Sequence, residues 1–207
     1  MGTRDRILES AEVLFATNGY DGTSLRDITE QAGANVAAVN YHFGSKENLL
    51  TALLDRVVVP INRGRLDLLE KASAEGPPDL EETLTAFLLP DLHSLETLRN
   101  RNPDLPRFVS RMYSENSPLM REVMGAQFTE IGQKFGVALA RVLPDLGTDE
   151  IAFRLSCVVG IVVYMFAGVE APGVAPLAAG DAQTDLPRLL AVARSIMTAP
   201  VREVVPT

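Results

Sequence analysis

Apolar residues recur at helical spacing along most of the chain, and no alternation typical of a β-strand persists. The first stripe predicts a helix over residues 4–18, and it consists of Ile7, Leu8, Ala11, Leu14 and Phe15. Asn18 and Gly19 follow it as an end signal. The pattern therefore predicts an all-α fold in which this first helix braces the segment that follows.

Two short helices are predicted between residues 23 and 44. Ser24 and Asp27 have the spacing of a capping box, which satisfies the first N–H groups of a helix. Gly33 predicts the end of that helix, because glycine enters the left-handed conformation without strain. Asn35 is a good N-cap for the second helix, and Gly44 ends it. Two helices joined by a short glycine turn indicate a helix-turn-helix, whose second helix can lie in the DNA major groove.

The second of these helices has an outward face without acidic residues. Asn40 can form a bidentate pair with adenine, and the methyl groups of Val36 or Ala37 can meet a thymine methyl. Tyr41 and the first turn of the next helix are suited to phosphates. The predicted DNA-contacting residues are Thr23, Ser24, Arg26, Asn35, Val36, Ala37, Asn40, Tyr41, His42 and Lys46.

Residues 7–50 contain TSLRDITEQAG followed by VNYHFGSKENLL, and this run resembles the DNA-binding domain of the TetR family of bacterial transcriptional regulators. The resemblance implies that residues matching Tyr41, His42 and Lys46 lie at or near the DNA backbone. Val36 and Asn40 depart from the commoner pattern, in which a lysine and a second tyrosine are frequent. The operator sequence therefore cannot be transferred from a relative.

The rest of the chain predicts longer helices. One begins after the N-cap Ser45 and runs to about residue 74 with Pro60 inside it, and others follow over 79–99, 118–142 and 185–198. A short helix contains Phe108, and Thr148 is expected to cap the apolar helix that follows it. Residues 171–183 are rich in Ala, Gly and Pro and are expected to form a loop. We place the domains at 1–46, for DNA binding, and 47–207, for ligand binding and dimerisation.

Two of these helices carry wide apolar surfaces. The helix over 150–169 is apolar nearly all round, and the helix over 185–198 has a broad stripe. Two copies of each would bury these surfaces in a homodimer, although both could instead be core of a single chain. A homodimer suits a palindromic operator, because paired recognition helices enter successive major grooves about 34 to 36 Å apart.

The family resemblance also implies a ligand pocket in the second domain and release from DNA when an unknown small-molecule effector binds. The candidate ligand-binding residues are Phe87, His93, Phe108, Arg111, Met112, Met124, Phe128 and Tyr164. Their helical spacing is equally consistent with ordinary core packing.

Charge argues against simple DNA binding. The net charge is −8, and the first fifty residues contain four basic and seven acidic side chains, a balance of −3. DNA-binding domains are usually basic, so the acids of the first helix are expected to face away from DNA, and non-specific affinity should be weak. The alternative is a helical small-molecule-binding dimer whose DNA-binding domain is weak or non-functional.

The sequence predicts no catalytic site, metal site or cofactor, because two histidines and one cysteine offer no suitable spacing. Cys157 is expected to be a buried thiol in a reducing cytoplasm. The apolar run over 155–169 is shorter than the roughly 18 to 20 residues that cross a bilayer, so no membrane partner is expected.

Overall fold

The computed structural model describes residues 2–74, 76–115, 117–169, 177 and 180–201, and within these ranges the regular structure is entirely helical. The all-α prediction is confirmed. The helices are α1 (Thr3–Asn18), α2 (Leu25–Gln31), α3 (Val36–Phe43), α4 (Lys46–Ala72), α5 (Leu80–Arg101), α6 (Leu105–Ser114), α7 (Pro118–Val142), α8 (Thr148–Ala167) and α9 (Ala182–Thr198).

The N-terminal helices begin and end at the residues that the capping signals predict. Ser24 Oγ accepts from the Asp27 N–H at 3.2 Å, and the Ser24 N–H donates to Asp27 Oδ2 at 2.8 Å, which completes the capping box. Asn35 Oδ1 accepts from the Ala38 N–H at 2.9 Å. Gly33 has a φ of 57°, in the left-handed region that favours glycine. α1 packs against α2, α3 and α4 and so fixes the two short helices.

α4 connects the N-terminal helices to the rest of the chain. Ser45 caps it, and Pro60 lies inside it without ending it. It packs against α1 and α3, and it also belongs to a bundle with α5 and α7. α5 in turn contacts α6, α8 and α9. Any change in the angle of α4 would therefore displace the helix-turn-helix relative to this bundle.

Two predicted helix starts are wrong, one by a single residue and the other by three. α8 has Gly147 as its N-cap, and Thr148 is its first residue rather than its cap. α9 begins at Ala182, earlier than the predicted start at 185, because Asp181 accepts from the Thr184 N–H at 2.8 Å. The predicted loop over 171–183 lies largely outside the described residues.

α8 presents one face to the chain and one to the outside. Ile151, Val158 and Val162 are buried, whereas Phe153 is 65% exposed. Cys157 lies on the outer face and is exposed, so the expectation of a buried thiol is wrong for the single chain. α8 has 20 residues and a mean hydropathy of 1.8 in its most apolar window, so by length and composition it could cross a bilayer, although one third of that window is buried inside the fold.

Candidate nucleic-acid interface and internal cavity

α3 has the two faces that a recognition helix needs. Val39 and Phe43 are buried, at 0% and 8% exposure, and they fix the helix to α1 and α4. Asn40 is exposed, and Tyr41 is 85% exposed. The remaining predicted contacts on this helix are Val36, which is partly exposed, and Ala37 and His42, which are exposed. The face therefore offers an amide, a phenol and small apolar groups to a duplex.

Ser24 and Arg26 are exposed at the start of α2, and Asn35 is exposed at the N-cap of α3. Thr23 is different, because it is 1% exposed and its hydroxyl donates to the carbonyl oxygens of Gly19 and Leu14 at 2.8 and 3.2 Å. The Thr23 side chain thus holds the turn between α1 and α2, and a DNA contact by Thr23 stays a prediction.

Lys46 has a role inside the domain that the sequence did not indicate. Its Nζ donates to the carbonyl oxygen of Tyr20 at 2.6 Å and lies 4.0 Å from the centre of the Tyr20 ring. The ammonium therefore fixes the turn after α1 to the first turn of α4. A phosphate contact by Lys46 stays a prediction, and the exposed basic side chain at the start of the helix-turn-helix is Arg26.

Four of the seven acidic residues among the first fifty form hydrogen bonds or ion pairs within the chain. Glu12 is 1% exposed and accepts from Arg101 Nη2 at 2.7 Å, and Glu9 lies 3.8 Å from Arg56. Asp27 belongs to the capping box, and Glu47 Oε1 accepts from the Tyr20 hydroxyl at 3.2 Å. None of these four lies on α3. The negative balance of the sequence is therefore kept off the recognition helix.

α6 forms the contact between the N-terminal helices and the bundle. It packs against α1, and Arg111 lies so close over Gly19 that a β-carbon there would be 3.2 Å from Arg111 Nη1. Glu115 follows α6, where burial and the negative charge of Asp21 raise its pKa while Lys46 and Arg111 lower it. Glu115 also lines the cavity described next. One side chain thus borders both the cavity and the N-terminal unit.

A cavity of about 600 Å³ lies among α4, α5, α6, α7 and α8. Its wall is mainly aromatic and flexible apolar side chains, and volumes of this size are typical of small-molecule sites. The lining residues are Arg65, Phe87, Met112, Tyr113, Glu115, Met120, Arg121, Met124, Gly125, Phe128, Ile131, Gly132, Leu155 and Val159.

Four of the eight candidate ligand-binding residues lie in this wall, namely Phe87, Met112, Met124 and Phe128. The other four lie elsewhere. Phe108 is 1% exposed in the core, and Arg111 lies at the contact with α1. His93 lines a separate groove between α4 and α5, and Tyr164 is half-buried on α8. These four were chosen by residue type, which does not show the direction in which a side chain points.

The polar end of the cavity is not predicted by the sequence pattern described above. Arg65 is 2% exposed and donates to three acceptors: the Phe87 carbonyl oxygen at 3.1 Å, Asn62 Oδ1 at 2.8 Å and Asp91 Oδ2 at 2.5 Å. Asp91 is also 2% exposed. A sequence signal exists, because each residue continues the inward stripe of its helix, Arg65 in line with Ile61 and Leu69, and Asp91 in line with Phe87 and Leu95.

Tyr113 lies beside this pair. Its ring centre is 5.3 Å from that of Phe128, and burial raises the pKa of its hydroxyl well above the ordinary value despite the opposing charge of Arg65. The hydroxyl therefore stays protonated and can donate a hydrogen bond.

No group of three or more residues suited to holding a metal ion occurs in the described part of the chain.

Family models match both parts of the chain. The model described as bacterial regulatory proteins, tetR family, matches residues 7–53, and the model described as Tetracyclin repressor-like, C-terminal domain, matches residues 85–199, more than half of the chain. The chain belongs to the TetR family. Membership assigns it to a class of DNA-binding transcriptional regulators that are not enzymes, as the sequence predicted.

Curated relatives match over limited lengths. The Bacillus subtilis protein named Probable HTH-type transcriptional regulator YttP is 32% identical over 124 residues, 60% of this chain and 56% of that protein. The Corynebacterium glutamicum HTH-type transcriptional repressor AcnR is 45% identical over 51 residues, 25% of this chain and 27% of that protein. The matches thus span about half of the first relative and about a quarter of the second.

Solved structures match over nearly the whole chain. The TetR family transcriptional regulator PfmR from Thermus thermophilus is 24% identical with a TM-score of 0.60, and the match covers 96% of this chain and all of that one. A transcriptional regulator of the TerR/AcrR family from Aquifex aeolicus has a TM-score of 0.59 at 22% identity, over 94% of this chain and 99% of that one. These likenesses show a shared fold.

Proposed function

We propose that this TetR-family chain is a cytoplasmic repressor that binds a palindromic operator as a homodimer and leaves it when a small molecule enters the cavity. The outward face of α3 carries the proposal, because Asn40, Tyr41 and small apolar residues are exposed there while Val39 and Phe43 anchor the opposite side. Two relatives in the comparison are named as a transcriptional regulator and a transcriptional repressor.

The direct test is a gel shift with the DNA that flanks the gene of this chain, at low salt. We expect a retarded complex that footprints as two half-sites one helical turn apart. Because the first fifty residues are acidic overall, competitor DNA of unrelated sequence should bind weakly. Absence of any sequence-specific complex would favour the alternative, a ligand-binding dimer with a non-functional DNA-binding domain.

Asn40→Ala is expected to relax sequence discrimination at one base pair of each half-site. The amide of Asn40 can pair with adenine N6 and N7, and losing such a bidentate contact costs about 1 to 3 kcal/mol at that position. The measurement is operator affinity across single-base variants, compared between wild type and Asn40→Ala. Asn100→Ala, the same substitution at an exposed position of α5, is the control and should bind every variant like wild type. A uniform loss over all base positions would instead assign Asn40 to the phosphates.

Release can be explained by the position of α6. This helix contributes Met112 and Tyr113 to the cavity wall and packs against α1, and Glu115 at its end lies near Asp21 and Lys46. A ligand that favours another position of α6 would move α1 and with it the spacing of the two recognition helices. A differential affinity of roughly 1 to 3 kcal/mol would weaken operator binding about 5- to 150-fold.

The homodimer is proposed to form through the outer faces of α8 and α9. On α8 the exposed side of the helix includes Phe153, Cys157 and Gly160, and on α9 Val192 is 49% exposed. The inner stripes of both helices are already buried within the chain, so the outer apolar faces are what a second copy would cover.

Phe153→Glu is expected to convert the dimer to a monomer, because it would place a carboxylate in a desolvated interface on both copies at once. The measurement is molar mass by size-exclusion chromatography with light scattering. Val137→Glu, on the exposed face of α7, is the matched control and should leave the mass unchanged. If the mass stays dimeric in Phe153→Glu and drops in Val137→Glu, the interface lies on α7 instead.

A further inference from the structure

The cavity has a buried charged pair at one end, and that pair is already neutral as a unit. Arg65 and Asp91 are each almost fully buried and lie at hydrogen-bonding distance from one another. Arg65 is the member that lines the cavity. A ligand at this end therefore meets a guanidinium whose charge a protein carboxylate compensates.

The hydrogen bonds of Arg65 leave no edge suited to a ligand carboxylate. A carboxylate binds arginine most strongly through two parallel N–H groups on one edge of the guanidinium. Nε donates to the Phe87 carbonyl oxygen, Nη1 to Asn62 and Nη2 to Asp91, so each edge has at least one N–H in use. The Phe87 ring, 4.4 Å from the guanidinium carbon, covers one face.

Glu115 in the wall also opposes an anion, because its half-buried carboxylate adds negative charge to the cavity. Arg121 lines the same cavity but is exposed, so water weakens the attraction that it exerts on an anion. Binding of a cation beside Arg65 would also be unfavourable, because the cation would lose hydration next to a like charge. An uncharged molecule meets neither penalty, and the Tyr113 hydroxyl offers it a hydrogen bond.

We propose that the cavity takes an uncharged, mainly apolar small molecule with a hydrogen-bond acceptor directed at Tyr113, and that the Arg65–Asp91 pair excludes anions from it. This inference deepens the proposed function, because it rests on the cavity being the effector site. Asp91 thereby acts on ligand choice through Arg65, as a specificity-determining residue outside the wall.

Three fluorescent probes with one ring framework test the proposal. They are N-phenylnaphthylamine, which is uncharged, anilinonaphthalenesulfonate, which is anionic, and the same framework with a trimethylammonium group. We expect the wild-type chain to bind the uncharged probe at least about tenfold more tightly than either charged probe, because burying an uncompensated charge is costly. Tighter binding of the anionic probe would overturn the proposal.

Two variants test whether Met124 and Asp91 determine the relative affinities of the three probes. Met124→Trp should fill part of the cavity and weaken the uncharged probe at least about fivefold, and an unchanged affinity would mean that the probe binds elsewhere and would overturn the proposal. Asp91→Asn keeps an acceptor beside Arg65 but removes the balancing charge, so it should improve the anionic probe about tenfold relative to the uncharged one.

The control for the second variant is Asp67→Asn, which changes the net charge equally but lies exposed on α4 outside the cavity wall. It should keep the wild-type probe order, and an equal gain for the anionic probe would reject the role of Asp91. If Asp91→Asn does not fold, the order of the three probe affinities in the wild-type chain and the effect of Met124→Trp still test the ligand class proposed for the cavity. A gel shift on the same preparation separates the two proposals: DNA binding with the wrong probe order rejects only the ligand class, whereas the expected order without DNA binding rejects only the regulatory function.

Discussion

Arg65→Met is expected to lower the free energy of unfolding by about 3 to 5 kcal/mol, because it leaves Asp91 buried without its cationic partner. Arg65 is also the donor to Asn62 and to the Phe87 carbonyl oxygen, so three buried acceptors lose a bond at once. The measurement is urea unfolding followed by circular dichroism, compared at one protein concentration because a dimer's stability depends on it.

The loss of stability caused by Arg65→Met is expected to depend on pH. Burial raises the pKa of Asp91, and Arg65 opposes that rise, so removing Arg65 raises the folded-state pKa further. A carboxyl group whose pKa is higher in the folded state than its unfolded value of about 3.9 favours folding when it is protonated. This contribution to stability is complete below about pH 3.9 and is lost as the pH rises through the folded-state pKa. Arg65→Met should therefore lose more stability relative to wild type at about pH 8 than at about pH 5.

Two further variants separate the buried charge from general damage. Arg63→Met makes the same change at an exposed position of the same helix and should cost no more than about 0.5 kcal/mol. The double variant Arg65→Met with Asp91→Leu removes both charges and should recover most of the loss, because apolar replacements of buried ion pairs are often neutral or stabilising. A double variant no better than Arg65→Met would mean that packing and the other hydrogen bonds, rather than the unpaired carboxylate, account for the effect.

The helices of the N-terminal unit were predictable because their signals are local. The capping box of Ser24 and Asp27, the N-cap Asn35 and the glycine turn at Gly33 each act within four residues of the bond they form. The outward position of Asn40 follows from the same local geometry, since Val39 and Phe43 fix the helix phase. Local chemistry thus specified both the fold of this unit and the face that it presents.

The cavity was only partly predictable because its polar end depends on contacts between distant residues. Arg65 and Asp91 are 26 residues apart, and each alone is a residue type that is usually exposed. Only the coincidence of opposite charges on two inward stripes indicates the pair. Similarly, the motif alone predicts a phosphate contact for Lys46, whereas the position of Lys46 over Tyr20 depends on how the turn after α1 folds back.

Glu12 and Arg101 form another long-range pair, and it joins α1 to the end of α5. Glu12 is 1% exposed, and its Oε2 atom accepts a hydrogen bond from Arg101 Nη2. Its Oε1 atom has no hydrogen-bond partner among the described residues. The Arg101 side chain is 37% exposed. The pair therefore attaches α1, which packs against α3, to the helical bundle.

Arg101→Met is expected to destabilise the chain by about 2 to 4 kcal/mol, somewhat less than a fully buried pair because Arg101 is partly hydrated. Arg107→Met is the matched control, since its ion pair with Asp104 is exposed and should be worth at most about 1 kcal/mol. Urea unfolding gives the cost, and hydrogen exchange gives its location.

The location distinguishes a link between the two parts of the chain from a general contribution to the core. If the pair holds α1 against the bundle, exchange in Arg101→Met should quicken in α1 more than in the buried part of α5, because local opening then precedes global unfolding. Glu12→Gln removes the buried charge and retains an acceptor for Arg101, so it should lose less stability than Arg101→Met. Equal acceleration across all helices would show that the pair stabilises the whole chain and does not act as a link through which the bundle positions α1.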